Sequence, residues 1–145
     1  MIIRKAKKKD IEKLSVLLDK YRIFYKQETN ITAARSFLKK RMKRDESVIF
    51  VAEEGKELIG FTQLFPLFSS VGLKRAWLLN DLYVDEKSRK SGAASKLLEA
   101  AKGLGEETES RWLLLQTSYD NFTAQKVYEK NGWVRDADFF YRLDI

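Results

Sequence analysis

The chain has 145 residues, of which 44% are hydrophobic and 12% aromatic, so it can build one ordinary domain with a substantial core. It contains no cysteine and no histidine, which excludes disulfides, thiolate nucleophiles and cysteine-based zinc sites, and removes the usual acid–base side chain. A formal net charge of +7 favours an anionic partner without selecting one.

The apolar residues form no run as long as the roughly 18 residues that span a membrane, and the amino-terminal stretch has no signal-peptide core. We therefore expect a soluble, cytoplasmic protein with a single domain over residues 1–145 and no membrane partner. The lysines are scattered through helical patterns rather than gathered beside aromatic residues, which argues against nucleic-acid binding. No metal is expected, and any chemistry must use carboxylates, tyrosines, hydroxyls, lysines or backbone groups.

The first half of the chain predicts a strand, two helices and two more strands. Apolar residues recur at three- and four-residue spacing in the first helix, and an Asn or Thr precedes the second as its cap. Gly55 lies in a polar turn that joins the two later strands as a hairpin. The predicted elements are a strand at Ile2–Arg4, a helix at Lys8–Tyr25, a helix that begins after Asn30 or Thr32, and strands at Ser47–Ala52 and Leu58–Phe68.

The second half predicts alternating strands and helices. Because the strand before the third helix and the strand after it are joined through that helix, they should be parallel neighbours with a right-handed crossover. The fold class is therefore α/β, with helices covering a mixed sheet. The predicted elements are a strand at Ala76–Val84, a helix from Ala93 that Gly103 and Gly105 close, a strand at Arg111–Thr117, a helix at Phe122–Lys130, and a closing strand pair within Trp133–Asp144.

The turn before the third helix is the most informative segment. Gly92 and two alanines let the backbone approach a ligand closely, and the unpaired amides of the helix start attract phosphate. Arg89 and Lys90 add positive charge on the same rim. On these physical grounds alone, an ordinary helix start made of small residues explains the segment equally well.

Two motifs resemble those of the GNAT family of N-acetyltransferases. Arg89-x-x-Gly92-x-Ala94, between a strand and a helix, resembles the family's pyrophosphate motif, and it matches neither the Walker loop nor the dinucleotide fingerprint. About 30 residues on, Asn121, Ala124, Tyr128 and the pair Gly132-Trp133 match the family's later motif. The resemblance covers nearly the whole chain, because the order of strands and helices is also that of the family.

The resemblance implies both a fold and a cofactor. The fold is a single domain whose mixed, mostly antiparallel sheet contains a splayed parallel strand pair and is flanked by about four helices. The acetyl donor is acetyl-coenzyme A (acetyl-CoA). Its pyrophosphate would meet Arg89, Lys90, Ser91, Gly92, Ala93 and Ala94, and its pantetheine arm would meet Leu82, Tyr83, Val84, Asn121 and Ala124.

The resemblance also implies a direct transfer mechanism. An amine attacks the thioester, and a backbone N–H near Tyr83 and Val84 stabilises the oxyanion. Tyr128, which would also contact the cofactor, protonates the leaving thiolate. The chain departs from the family pattern at the general base. Relatives that acetylate polyamines often have Glu-Asp where this chain has Asn80-Asp81, so the first carboxylate of the pair is missing. Asp81 either relays the proton or holds the ammonium group, or it only stabilises a strand end.

The acceptor amine is expected between the first two helices and the strand that carries Asn80 and Asp81. An aromatic cluster there could bind a cation, with Glu28 or Asp81 as counter-charge, although its members could equally close the core. These segments are similar to those of a subgroup that includes a yeast histone and polyamine acetyltransferase. Relatives commonly form homodimers. Small amines, polyamines, amino acids and protein lysines all stay open as acceptors, and the alternative function is a non-catalytic acyl-CoA-binding or sensor module. The remaining predicted acceptor-binding residues are Tyr21, Phe24 and Tyr25.

Overall fold

A five-stranded sheet runs through the molecule in the order β1-β2-β3-β4-β5. In this computed structural model, which describes residues 1–145, the first four strands pair antiparallel, and β4 pairs with β5 in parallel. The predicted parallel pair around the third helix is thus confirmed. The strands are β1 (Ile2–Lys5), β2 (Val48–Glu54), β3 (Glu57–Ser69), β4 (Lys74–Val84) and β5 (Leu113–Leu114).

Four helices cover the sheet, each close to its predicted place. Asn30 caps the second helix by accepting from the Ala33 amide at 3.0 Å, and Asn121 caps the fourth by accepting from the Ala124 amide at 3.2 Å. None of the helices combines the length and apolar character that a bilayer span requires. The helices are α1 (Ile11–Phe24), α2 (Ile31–Lys43), α3 (Ala93–Glu107) and α4 (Phe122–Lys130).

The core lies in two layers, one on each face of the sheet. Side chains alternate along a strand, so Ile49 and Val51 face α1 and α2 while Phe50 and Ala52 face α3. Phe61 is the largest wholly buried side chain of the first layer. Burial of each such large apolar side chain contributes about 1.5–3 kcal/mol, which fixes the sheet between its helices.

A β-bulge interrupts the pairing of β3 with β4. Gln63 lies opposite Asp81 and Leu64 lies opposite Leu79, which leaves Asn80 without a partner. One extra residue reverses the alternation of the strand beyond it. The bulge therefore lies directly beside the residues that the sequence selects for chemistry.

The bulge also decides where the amides at the end of β4 point. Before it, the Trp77 amide donates towards β5, to the Trp112 carbonyl oxygen at 3.2 Å. After it, the Asp85 amide donates towards β3, to the Ile59 carbonyl oxygen at 2.8 Å. Because N–H groups alternate along a strand, the amides of Leu82 and Val84 point away from β3.

The parallel strands diverge after a short contact. Trp77 pairs with Leu113 and Leu78 with Leu114, and β4 then continues to Val84 without a neighbouring strand on that side. The chain after β5 instead leads to α4. A gap between the end of β4 and α4 is the result, as the expected splayed pair implies.

Three boundaries differ from the sequence predictions. Gly103 and Gly105 do not close α3, which continues to Glu107. A Cβ at residue 105 would lie 2.5 Å from Leu113 Cδ1, so this glycine lets the helix approach β5 rather than ending it. The strand expected over Arg111–Thr117 shortens to β5.

The closing strand pair expected within Trp133–Asp144 is absent. After Gly132 the chain forms no strand, although aromatic residues, which favour strands, are frequent there. Strand propensity needs a partner strand to form a ladder, and these residues find none within the chain.

Candidate functional site

The gap beside β4 forms a pocket of ≈ 170 Å³, which we call the splay cleft. It brings together residues from α1, β4, the loop before α3, and α4. Hydrophobic residues make up 10 of its 12 lining residues. All of them except Val127 were selected from the sequence. The lining residues are Tyr21, Phe24, Tyr25, Leu82, Tyr83, Val84, Arg89, Ala94, Asn121, Ala124, Val127 and Tyr128.

The other predicted site residues lie around this cleft rather than in its wall. Residues 90–93 form the loop between Arg89 and Ala94 at the rim. Asn80 is exposed and Asp81 is buried behind the cleft. Glu28 is exposed in the loop after α1 and is not among the residues that line the cleft.

Free amides line the loop before α3. The amides of Lys90, Gly92, Ala94 and Ser95 donate to no protein acceptor, whereas the Ala93 amide donates to Ser91 Oγ at 3.3 Å. Lys90 and Gly92 have φ angles of 68° and 84°, in the left-handed region. Left-handed residues alternating with others turn successive N–H groups to one side and create an anion-binding concavity.

The backbone conformation at position 92 favours glycine, whereas neighbouring atoms leave room for a side chain. A Cβ added there would meet nothing within 4 Å, but its φ of 84° is one that other residues rarely adopt. Arg89 lies beside it with a half-exposed side chain, and its guanidinium is 3.6 Å from the Glu86 carboxylate. The loop therefore combines open amides with an available positive charge.

Tyr128 lines the cleft from α4. Burial, followed by the nearby charge of Tyr25, raises the pKa of Tyr128 to about 12. Its ring packs at 6.4 Å between centroids against Trp133, which follows α4. The phenol is therefore protonated at neutral pH and can donate a proton.

Asn121 contributes to the same wall from the start of α4. Its side-chain oxygen is engaged by the helix cap, so its amide –NH₂ group is the part left for a ligand. Ala124 and Val127 continue this face of the helix along the cleft. Val127 was not predicted, although it follows Ala124 by three residues, a spacing that places both on one face of a helix.

Asp81 is held by a buried polar network. Its two oxygens accept from Gln63 Nε2 at 2.8 Å and from Asn80 Nδ2 at 3.0 Å, and Gln63 Oε1 accepts from Ser47 Oγ at 2.8 Å. Burial raises the pKa of Asp81, while the bonds from Gln63, Asn80 and Tyr21 oppose that rise. Gln63 was missed, and the signal was a glutamine within the apolar run of β3.

An aromatic wall on α1 closes the other side of the cleft. Tyr21 and Tyr25 meet edge to face at 5.0 Å between ring centroids, and Tyr25 meets Phe24 at 5.3 Å. Tyr21 also packs 6.1 Å from Tyr83 of β4, so it belongs to both core and cleft. Phe24 and Tyr25 are exposed and lie at the mouth of the cleft.

The loop after α1 is anchored by a buried carboxylate. Asp19 accepts from Thr29 Oγ1 at 2.6 Å and from the Asn30 amide at 2.7 Å. These bonds hold the pKa of Asp19 below its usual value.

No group of three or more His, Cys, Asp or Glu side chains is placed to hold a metal ion.

Comparison with known families and proteins gives a consistent result. Residues 6–133 match the family described as the acetyltransferase (GNAT) family. An uncharacterised N-acetyltransferase, YhfO, of Bacillus subtilis is 45% identical over 97% of this chain and 95% of its own length. A probable acetyltransferase of Haemophilus influenzae is 34% identical over 85% of each chain. The D-amino-acid N-acetyltransferase HPA3 of Saccharomyces cerevisiae is 26% identical over 98% of this chain and 90% of its own.

Solved structures share the same arrangement. A probable acetyltransferase superposes with a TM-score of 0.94 at 44% identity, covering 100% of this chain and 98% of its own. AAC(6')-Iy, solved with the bisubstrate analogue CoA-S-monomethyl-acetylneamine, gives a TM-score of 0.82 at 22% identity, covering 99% of this chain and 98% of its own.

Proposed function

The chain belongs to the GNAT family of acetyltransferases, and we propose that it transfers the acetyl group of acetyl-CoA directly to a primary amine. The observation that carries the proposal is the splay cleft, where free loop amides, the outward amides of β4 and the Tyr128 hydroxyl converge. Residues 1–145 would act as one unit, in the cytoplasm and as a homodimer.

The cofactor would be held by groups that lack protein partners. The amides of Lys90, Gly92, Ala94 and Ser95 suit a diphosphate, with Arg89 as mobile counter-charge. Along the cleft, the outward amides of Leu82 and Val84 suit the amide-bearing pantetheine arm, as in strand addition. Tyr83 and Ala93 support these groups from the same strand and loop.

The chemistry would follow from positioning and from two side chains. The thioester supplies an acetyl group that an uncharged amine can attack without a covalent enzyme intermediate. The Val84 amide would stabilise the developing oxyanion, and the protonated Tyr128 would donate to the departing thiolate. Alignment of the two reactants would supply several kcal/mol of the rate enhancement.

Asp81 would remove the proton of the acceptor through an intervening water. Its raised pKa makes it a better base than an ordinary aspartate, and Gln63 and Asn80 fix its orientation. Phe24 and Tyr25 at the mouth of the cleft would receive the cationic acceptor by cation–π attraction. The similarity to HPA3, named as a D-amino-acid N-acetyltransferase, favours amino acids beside polyamines and peptide amines as acceptors.

Thiol release from acetyl-CoA in the presence of an amine panel tests the proposal. The panel should contain D- and L-amino acids, polyamines, simple alkylamines and a lysine peptide, each measured against acetyl-CoA alone. Amine-dependent thiol release that is lost in Tyr128→Phe supports acetyl transfer. Tight acetyl-CoA binding without release for any amine would instead support the alternative, a non-catalytic acyl-CoA-binding module, for which the imperfect Asn80-Asp81 pair is the supporting observation.

A further inference from the structure

Three polar side chains lie side by side across the sheet, behind the splay cleft. Ser47 directly precedes β2, Gln63 lies in β3, and Asp81 is opposite Gln63 in β4. Ser47 Oγ donates to Gln63 Oε1 at 2.8 Å, and Gln63 Nε2 donates to Asp81 Oδ2 at 2.8 Å. The three side chains therefore form one continuous row of hydrogen bonds across neighbouring strands, which we call the cross-strand row.

Gln63 occupies a place where an apolar side chain is the usual choice. It is wholly buried, and it lies two residues after Phe61, on the face of β3 that packs against α1 and α2. A buried amide group destabilises a core unless it is hydrogen-bonded, and the partners of this one are Ser47 and Asp81. A polar side chain that is held in a core by such specific partners points to a role at the site it contacts.

Ser47 determines which end of the Gln63 amide faces Asp81. A side-chain amide has an oxygen that only accepts and an –NH₂ group that only donates. Because the Ser47 hydroxyl donates to the oxygen, the –NH₂ group is the end that meets the carboxylate. The reversed amide would place its oxygen against an ionised carboxylate, and neither group could then donate. The serine thus keeps the amide in the orientation that supports an ionised Asp81.

Asp81 depends on such neutral donors because it has no cationic partner. Its other oxygen accepts from Asn80 Nδ2 at 3.0 Å, and none of the ion pairs includes it. The titratable side chain that faces it is Tyr21 of α1, whose pKa is raised by burial, so the phenol is neutral. Burial also raises the pKa of Asp81, and the bond from Gln63 opposes that rise most strongly.

We propose that Ser47 and Gln63 are positioning residues, and that Ser47 acts on the Asp81 carboxylate through Gln63. This inference rests on the proposed role of Asp81 as the base that removes the proton of the acceptor amine. It extends the control of that base to the junction of α2 and β2, since Ser47 does not line the splay cleft. The hydroxyl orients the amide, and the amide orients the carboxylate and favours its ionised form.

The pH profile of kcat/KM for the amine gives the first test. Ser47→Ala releases the Gln63 amide, and Gln63→Met removes the donor but keeps a long, unbranched side chain in the core. Loss of a donor to the charged form raises the pKa of Asp81, so the acidic limb should move to higher pH in both variants. On that limb we expect kcat/KM to fall about threefold in Ser47→Ala and about tenfold in Gln63→Met. Ser47→Thr keeps the hydroxyl and should restore the wild-type profile.

Two further variants separate positioning from a merely structural role. Thr62 is also wholly buried, but its hydroxyl donates to the Asp81 carbonyl oxygen, at 2.8 Å, rather than to the carboxylate. Thr62→Val should therefore lower stability in urea and leave the acidic limb in place. Because Ser47 acts through Gln63, the double variant of Ser47→Ala with Gln63→Met should match Gln63→Met alone. Additive effects in the double variant, or an equal movement of the limb in Thr62→Val, would overturn the proposal.

Carbon-13 NMR of the Asp81 carboxyl carbon tests the same link without any substrate, and Asp81→Asn identifies the signal. We expect the pKa of Asp81 to be higher in Ser47→Ala and in Gln63→Met than in the wild-type chain. An unchanged pKa in both variants would overturn the proposal, even if no amine is acetylated. A raised pKa with an unmoved acidic limb would support the link from Ser47 to Asp81 and remove Asp81 as the base, so failure of the proposed mechanism is distinguishable.

Discussion

The splay cleft and a second cleft of ≈ 880 Å³ along β5, the edge cleft, both open beside the parallel pair β4–β5, yet they differ in the groups that border them. The splay cleft is built wholly from one chain, and free amides and a tyrosine hydroxyl face it. The edge cleft is bordered by unpaired backbone on two sides. The first therefore offers hydrogen-bond donors that suit phosphate and amide groups, whereas the second offers the open side of a strand.

Tyr128→Phe should give the largest effect and should separate the two clefts. Phenylalanine keeps the packing against Trp133 but removes the proton donor, so we expect turnover to fall by roughly 10- to 1000-fold with acetyl-CoA affinity and chain mass unchanged. Steady-state kinetics, calorimetry and light scattering measure these quantities. Tyr119→Phe, at an exposed tyrosine outside the splay cleft, is the control. Unchanged turnover in Tyr128→Phe would remove this residue from the mechanism.

Gly92→Ala should affect the splay cleft alone. Because the left-handed backbone is strained by a Cβ, we expect about 1 kcal/mol of lost stability and at least about a tenfold loss of acetyl-CoA affinity as the loop amides move. Gly55→Ala is a matched control, since Gly55 also has a positive φ, of 62°, and also has nothing within 4 Å of an added Cβ. Equal affinities of the two variants, measured by calorimetry, would contradict an amide-built phosphate site.

Asp81→Asn should lower kcat/KM for the amine by about tenfold and leave acetyl-CoA binding intact, because only proton removal depends on the carboxylate. The pH profile of kcat/KM tests the role of the carboxylate as the base. Burial raises the pKa of Asp81, so the wild-type kcat/KM should fall as the pH drops through a value above the usual 3.9 or so of aspartate. The variant should lack this acidic limb, and an identical limb in both proteins would exclude Asp81 as the base.

Asp19→Asn should have the smallest effect, on stability rather than on chemistry. Its loss weakens the bonds to Thr29 and the Asn30 amide, and we expect the free energy of unfolding to fall by about 1 kcal/mol at neutral pH. The pKa of Asp19 is lowered in the folded chain, so its stabilisation is present above the unfolded value near 3.9 and is lost as the pH falls through the folded value. The free energies of unfolding of the two proteins, measured in urea, should therefore converge at acid pH. A difference between them that is constant with pH would contradict this role.

The sequence predicts local elements well where the signal is local. The periodicity of α1, the Asn30 cap of α2 and the Gly55 turn each depend on neighbouring residues, and all lie where expected. The splay cleft was also predictable, because two spaced motifs select residues from separate elements that the parallel crossover brings together.

The features that the sequence predicted wrongly or not at all depend on contacts between residues that are distant in sequence. Gly105 ends no helix because it packs on Leu113, and the bulge at Asn80 exists only in the register of β4 against β3. The strand pair expected within Trp133–Asp144 was wrong, because no strand of the sheet pairs with these residues. No local pattern shows whether the partner of a strand lies in the same chain or in another.

Calorimetry with acetyl-CoA and with S-acetylpantetheine tests the central claim most directly, because the second compound keeps the thioester and the arm but lacks the pyrophosphate. We expect the wild-type chain to bind acetyl-CoA and to lose most of that affinity with S-acetylpantetheine, and saturation at about 100 times the dissociation constant should add about 2.7 kcal/mol of stability. Equal affinity for the two compounds, or no binding of acetyl-CoA, would contradict a cofactor site built from the free amides around Gly92.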